Sequence, residues 1–165
     1  MTDFLRQNTG PETEFEKRRG VNRLEVRDGF AQVHVSQIEG DVMEGRLNVL
    51  QAVSDAGISI DFLKLSPSGM SFLLPEDRAE DVRKAMEPCA HHFSIRSPRS
   101  ILLVHAVSIR DEEGMIANIV QTLIGTGAHV DHLGDMHDRM LVVLKTDDVN
   151  RVAEHIRGAL MTEES

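Results

Sequence analysis

The chain has 165 residues and a formal net charge of −9, a balance that excludes a nucleic-acid partner, which needs clustered Lys and Arg; six Phe with no Trp or Tyr leave little to stack on bases. The single Cys89 rules out an intramolecular disulfide framework and points to a reducing compartment. No run approaches the roughly 20 apolar residues of a membrane span, and the polar start does not read as a signal peptide, so a soluble cytoplasmic protein is expected.

Residues 1–20 contain Gly10-Pro11, mixed charges and few apolar groups, which predicts a flexible N-terminal arm. Residues 21–27 follow as a short strand in which Leu24 and Val26 share a face. Asp28-Gly29 is a turn signal. Over 30–37, Ala31, Val33 and Val35 alternate with Gln32, His34 and Ser36, the pattern of a second strand. After a loop over 38–43, Leu47, Leu50, Val53 and Ala56 recur at helical spacing and predict a helix from about residue 44 to 56. Gly57 suits its C-terminus, where positive φ is commonly required. Ile58, Ile60 and Phe62 then alternate with Ser59 and Asp61 in a strand over 58–65. Ser66-Pro67-Ser68-Gly69 turns it into another strand over 70–74. Asp77 and Glu80 have capping-box spacing for a helix carrying Ala79, Val82 and Met86. Pro88 stops that helix, and 92–95 is a final strand. The order is βαββαβ.

A second copy begins after the break at Pro98. Residues 101–109 form a nearly continuous apolar strand, which suggests burial on both faces. A loop over 110–112 leads to a helix over about 113–125, strands over 128–134 and 139–145, and a last helix capped near Thr146 or Asp147. Gly127 and Asp131 repeat Gly57 and Asp61, and Glu113-Gly114 repeats Glu44-Gly45, at an offset of roughly 70 residues. This copy ends without a fourth strand, and the spare strand over 21–27 is its obvious donor. Apolar runs over 101–109 and 140–144 need more cover than two helices on one face provide, so at least a dimer is expected.

Ala56-Gly57-Ile58-Ser59-Ile60-Asp61 and Glu113-Gly114-Met115-Ile116-Ala117, in this order and with a donated strand, resemble the paired ACT domains of the aspartate kinase regulatory region. The resemblance covers about residues 21–161. It implies an α+β fold of tandem ferredoxin-like βαββαβ units, antiparallel sheets with helices on one face. The first would span 30–96, and the second 21–28 plus 99–161. Both helix starts depart from the family in reading Glu-Gly where Pro-Gly is common, and no kinase domain or Gly-rich phosphate loop is present.

The resemblance also implies an effector site on the loop Asp41, Val42, Met43, Glu44 and Gly45 and on the strand Ser59, Ile60 and Asp61, with Ser66. Helix-terminal N–H groups suit a carboxylate, and Asp61 suits an ammonium. Lysine and threonine are the first effectors to test, with a homodimer and a catalytic kinase subunit as partners. Against this stand two plain readings: Asp61 as a surface residue paired with a Lys or Arg, and Gly45 as a site of close packing. The cluster His129, Asp131, His132, Asp135, His137 and Asp138 has the residue types for zinc but no metal-site spacing. Strand alternation also separates His129 and Asp131 from His132. No nucleophile, base and orienting group come together. The expected protein is a non-catalytic, amino-acid-sensing regulator without cofactor; the alternative is an assembly module that has lost its ligand.

Overall fold

The computed structural model describes residues 20–107, 109 and 111–161. The expected arm, Gly20 apart, lies outside them, as do Ser108 and Arg110 of the loop after the long apolar strand. The elements are β1 (Gly20–Val35), α1 (Val42–Asp55), β2 (Asp61–Ser66), β3 (Gly69–Pro75), a 3₁₀ turn (Glu76–Arg78), α2 (Ala79–Met86), β4 (Phe93–Val107), α3 (Met115–Gly125), β5 (Val130–Asp135), β6 (Arg139–Lys145) and α4 (Thr146–Leu160). The strands make one antiparallel sheet in the order β2-β3-β1-β4-β6-β5.

Two expected breaks are absent. Asp28-Gly29 does not turn the chain, because β1 absorbs the pair as a bulge. Arg27 faces Ile101 and Phe30 faces Arg99, which leaves β1 one residue long, and Gly29 takes φ +86°. Between Phe30 and Gln32 the surplus passes to β4, whose partners move from Arg99 to Arg96. The register is then restored. Pro98 lies in that second irregularity, where the ladder is already interrupted and a missing N–H is tolerated. Two long strands therefore cross the molecule. Residues 21–27 pair with 101–106, while residues 30–35 lie between β3 and the first part of β4.

The helix-to-strand turns follow from their glycines. Gly57 has φ +68°, its N–H donates to the Ser54 carbonyl at 2.9 Å, and Ile58 N–H donates to Val53 at 3.2 Å. That is a Schellman motif, closed by the contact of buried Ile58 and Val53. Gly127, at φ +72°, repeats the first of these bonds to Ile124 at 3.1 Å. Each helix end also receives an arginine. Arg78 donates to the Ala56 carbonyl at 3.2 Å and Arg151 to the Thr126 carbonyl at 2.6 Å, a cation placed at the negative end of the helix. The expected caps differ. Asp77 caps nothing, since a 3₁₀ turn occupies the start of α2, and α4 begins at Thr146 with no side-chain cap. The Thr146 hydroxyl instead meets Ser100 Oγ at 2.9 Å, and Ser100 in turn donates to Asp28.

Three apolar clusters hold the sheet. Val49 and Val53 of α1 and Val82 and Met86 of α2 cover Ala31, Val33, Val35, Met70, Phe72 and Leu74. Ile119 and Leu123 of α3 with Val149, Val152 and Ile156 of α4 cover Leu102, Val104, Met140, Val142 and Leu144. On the opposite face lie Leu73, Ile101, Leu103, Leu141 and Val143, joined by Phe30 and Phe62. The sheet curls around this third cluster until its edge strands meet. The Phe62 ring of β2 packs edge-on against His132 of β5 with centroids 4.6 Å apart. Curling corrects the argument for a covering partner: residues 101–106 and 140–144 are all buried within one chain.

Candidate functional site

A cavity of about 470 Å³ opens between the end of β1 and the start of α1. Asp41 caps α1 by accepting the Glu44 N–H at 2.9 Å, which starts the helix at Val42 rather than Glu44. Glu39, Asp41 and Glu44 line the cavity and give its mouth a negative character; His91 is the imidazole on its rim. Gly45 is also in the lining. A Cβ there would lie 2.3 Å from Ile38 Cγ2, so the close-packing reading of Gly45 has a structural basis. Val42 and Met43 are not part of the wall, and Met43 is exposed on the outside of the helix.

Sequence reasoning missed Gln37, Asn48, Cys89 and His91, which complete this wall. One conformational signal is Gln37 itself, a non-glycine at φ +49° where β1 ends. Cys89 packs against the first core cluster, and burial pushes its thiol pKa up.

Ser59, Ile60 and Asp61 lie elsewhere in the same chain. They follow α1, whose 14 residues span roughly 21 Å, so they stand beyond the far end of the helix from the cavity. Ile60 packs into the first core cluster, and Ser59 is exposed. Asp61 is exposed, and among the described residues its carboxylate has no hydrogen-bond or ion-pair partner. Ser66 lines a different, smaller cavity, and its carbonyl accepts from the Arg46 guanidinium of α1.

The matching Asp131 is different. Its side chain is 1% exposed, with Arg99 Nε donating to Oδ2 at 2.6 Å and Arg96 Nη1 to Oδ1 at 2.9 Å. His129 Nε2 stands 3.5 Å from Oδ1. The expected separation of Asp131 from His132 does not hold. A register shift between Val130 and His132 marks a bulge, and both side chains reach one cavity. Among the described residues, no three His, Cys, Asp or Glu side chains are grouped to hold a metal ion.

No protein-family model matches the sequence, and no curated protein matches it. Solved structures do match. The regulatory subunit of aspartate kinase from Thermus flavus superposes with a TM-score of 0.75 at 17% identity, covering 86% of this chain and 99% of the other. The ligand-free regulatory subunit from Thermus thermophilus gives 0.73 at 18% identity, covering 87% and 99%. The fold is that of aspartate kinase regulatory subunits. Aspartokinase III from E. coli, in complex with lysine and aspartate, matches at 0.65 and 10% identity, over 89% of this chain and 35% of that one. No helix among the described residues is long and apolar enough to cross a membrane.

Proposed function

We propose that the chain is a non-catalytic regulatory protein that binds a small amino acid at the start of α1. The observation that carries this is the 470 Å³ cavity lined by Asp41, Glu44 and Gly45, on a fold shared with aspartate kinase regulatory subunits. The fold reads as two ferredoxin-like units, residues 30–96 and residues 21–28 with 99–161, the long strands β1 and β4 each serving both. The positive end of the α1 dipole at this wall suits the ligand carboxylate. Glu39, Asp41 and Glu44 favour a ligand carrying an extra cation, which puts lysine ahead of threonine. The E. coli enzyme bound to lysine supports the same order.

The site reads as complete only in a homodimer. Asp61 stands too far from the cavity to serve it within one chain. It lies on β2, an edge strand that also exposes Leu63 and Leu65, and α1 beside it exposes Met43 and Leu47. An unpaired edge with an apolar flank favours pairing with a second copy, and a two-fold operation reverses the strand and brings Asp61 of that copy toward this cavity. A catalytic kinase chain is the natural regulated partner. The assembly-module alternative draws on the same exposed residues and needs no ligand.

Calorimetry with L-lysine and L-threonine tests the reading. Lysine should bind, and Asp61→Ala should weaken it by about 1.5–3 kcal/mol, a roughly ten- to hundredfold loss. Asp131→Ala should weaken binding less, because the Asp131 carboxylate is already held by two arginines. Equal losses would place the ammonium elsewhere, and no binding by either amino acid would favour the assembly module.

A further inference from the structure

A second cavity, about 220 Å³, lies inside the curl of the sheet. Its floor is a patch of β-sheet surface in which Lys64, Ser71 and His34 sit side by side on β2, β3 and β1, and Gln32 sits beside Arg96 on β1 and β4. Its wall is the β5 bulge, which brings Asp131 and His132 over from the far edge.

The charges here oppose those of the whole chain. Asp131 is the one carboxylate in the lining, and each of its oxygens is already taken by a guanidinium. Two guanidiniums on one carboxylate leave a positive charge over. The Lys64 ammonium adds another and has no carboxylate partner among the described residues. Arg96 uses only Nη1 on Asp131, so its remaining N–H groups are available. Gln32 is the independent sign. It is 7% exposed, lines the cavity, and among the described residues its amide has no hydrogen-bond partner. No buried side-chain nitrogen or oxygen among the described residues lacks a partner, so the unbonded Gln32 amide is left open to the cavity that it lines.

We propose that this cavity inside the curl binds a small multivalent oxyanion, a phosphate group or a dicarboxylate, held by Arg96 and Lys64 with the Gln32 amide donating a hydrogen bond. Arginine gives a fork of donors for such a group and lysine a point charge. The bound anion bridges the two halves of the chain, since Lys64 and Gln32 belong to one half and the wall around Asp131 to the other. This site is separate from the cavity at α1 and does not rest on the amino-acid reading.

The test is calorimetry of the full chain with inorganic phosphate and, separately, with malonate. Binding of either supports the proposal, and the tighter of the two identifies the source of the oxyanion. Lys64→Gln and Gln32→Leu should each weaken binding, Lys64→Gln by at least tenfold. Lys84→Gln, a lysine outside this cavity, and Glu44→Gln, at the other cavity, should leave it unchanged. Lys64 is exposed and has no carboxylate partner among the described residues, so its variant should keep the wild-type unfolding curve and read out binding alone. Absence of heat with both anions at millimolar concentration would overturn the proposal, as would equal losses in Lys64→Gln and Lys84→Gln.

Discussion

Asp61 and Asp131 occupy the same place in two copies of one motif, and the structure gives them opposite roles in stability. Replacing Asp131 by alanine strands Arg99, whose side chain is only 8% exposed. Breaking a buried ion pair by removing one partner costs about 3–5 kcal/mol. The low end applies here, because Arg99 Nη1 keeps its bond to the Pro98 carbonyl at 3.1 Å. Arg96 is 48% exposed, so its share is that of a surface pair, about 0–1 kcal/mol. About 3 kcal/mol is therefore expected for Asp131→Ala, and Asp61→Ala should stay within about 0.5 kcal/mol of wild type. For a chain of this size that is roughly 6–12 °C in melting temperature. Urea unfolding of both variants measures the difference, and Arg99→Met in the Asp131→Ala background should recover much of the loss by removing the stranded charge. Equal stabilities for the two alanine variants would refute the opposite stability roles of Asp61 and Asp131.

Other consequences follow from close contacts and titrations. A Cβ on Gly69 would lie 2.1 Å from the Val35 carbonyl oxygen, a backbone atom, so Gly69→Ala should destabilise by about 1–3 kcal/mol or more in the same assay. Gly45→Ala should be destabilising in the native background through Ile38 and stabilising by up to about 1 kcal/mol with Ile38→Ala, where only helix propensity remains. Burial first, and Lys64 second, lower the His132 pKa. The folded state then binds that proton less readily than the unfolded chain, so stability is present above about pH 6.5 and is lost as pH falls toward the lowered native value. His132→Phe should flatten that part of the pH–stability profile relative to wild type. The raised Cys89 pKa predicts alkylation by iodoacetamide slower than that of a free thiol at neutral pH.

What was legible in the sequence was what depends on neighbours along the chain. Gly57 and Gly127 announced the helix-to-strand turns because only a residue tolerant of positive φ closes a Schellman motif cheaply. The pairing of residues 21–27 with 101–106 was legible by counting strands. The continuity of β1 and β4 was not. Asp28-Gly29 and Pro98 are true turn signals, and they are neutralised only because the extra residue in one strand is answered by an extra residue in the other. Asp77 had the spacing of a cap, yet a 3₁₀ turn takes its place. For the candidate site, Asp41, Glu44 and Gly45 were legible as a helix start, whereas Cys89 and His91 come from a loop more than 40 residues away.

Asp131 shows why a repeat in sequence is not a repeat in chemistry. Its partners Arg96 and Arg99 lie 35 and 32 residues earlier, on the strand segment that joins the halves. Among the described residues no counterpart of those arginines pairs with Asp61: β2 and β5 are both edge strands, but Asp61 stays exposed while Asp131 is drawn into the curl. The bulge decides the matter: with one residue slipped between Val130 and His132, Asp131 joins His132 on the inner face instead of alternating away from it. Phe62, the residue after Asp61, has φ +55° and turns its ring inward onto His132, the residue after Asp131. The two copies therefore touch through the same pair of positions, and that contact leaves one aspartate outside as a free charge and the other inside as a fixed one. A ligand that needs a carboxylate can use Asp61; a ligand that needs the cations around Asp131 must bring its own negative charge.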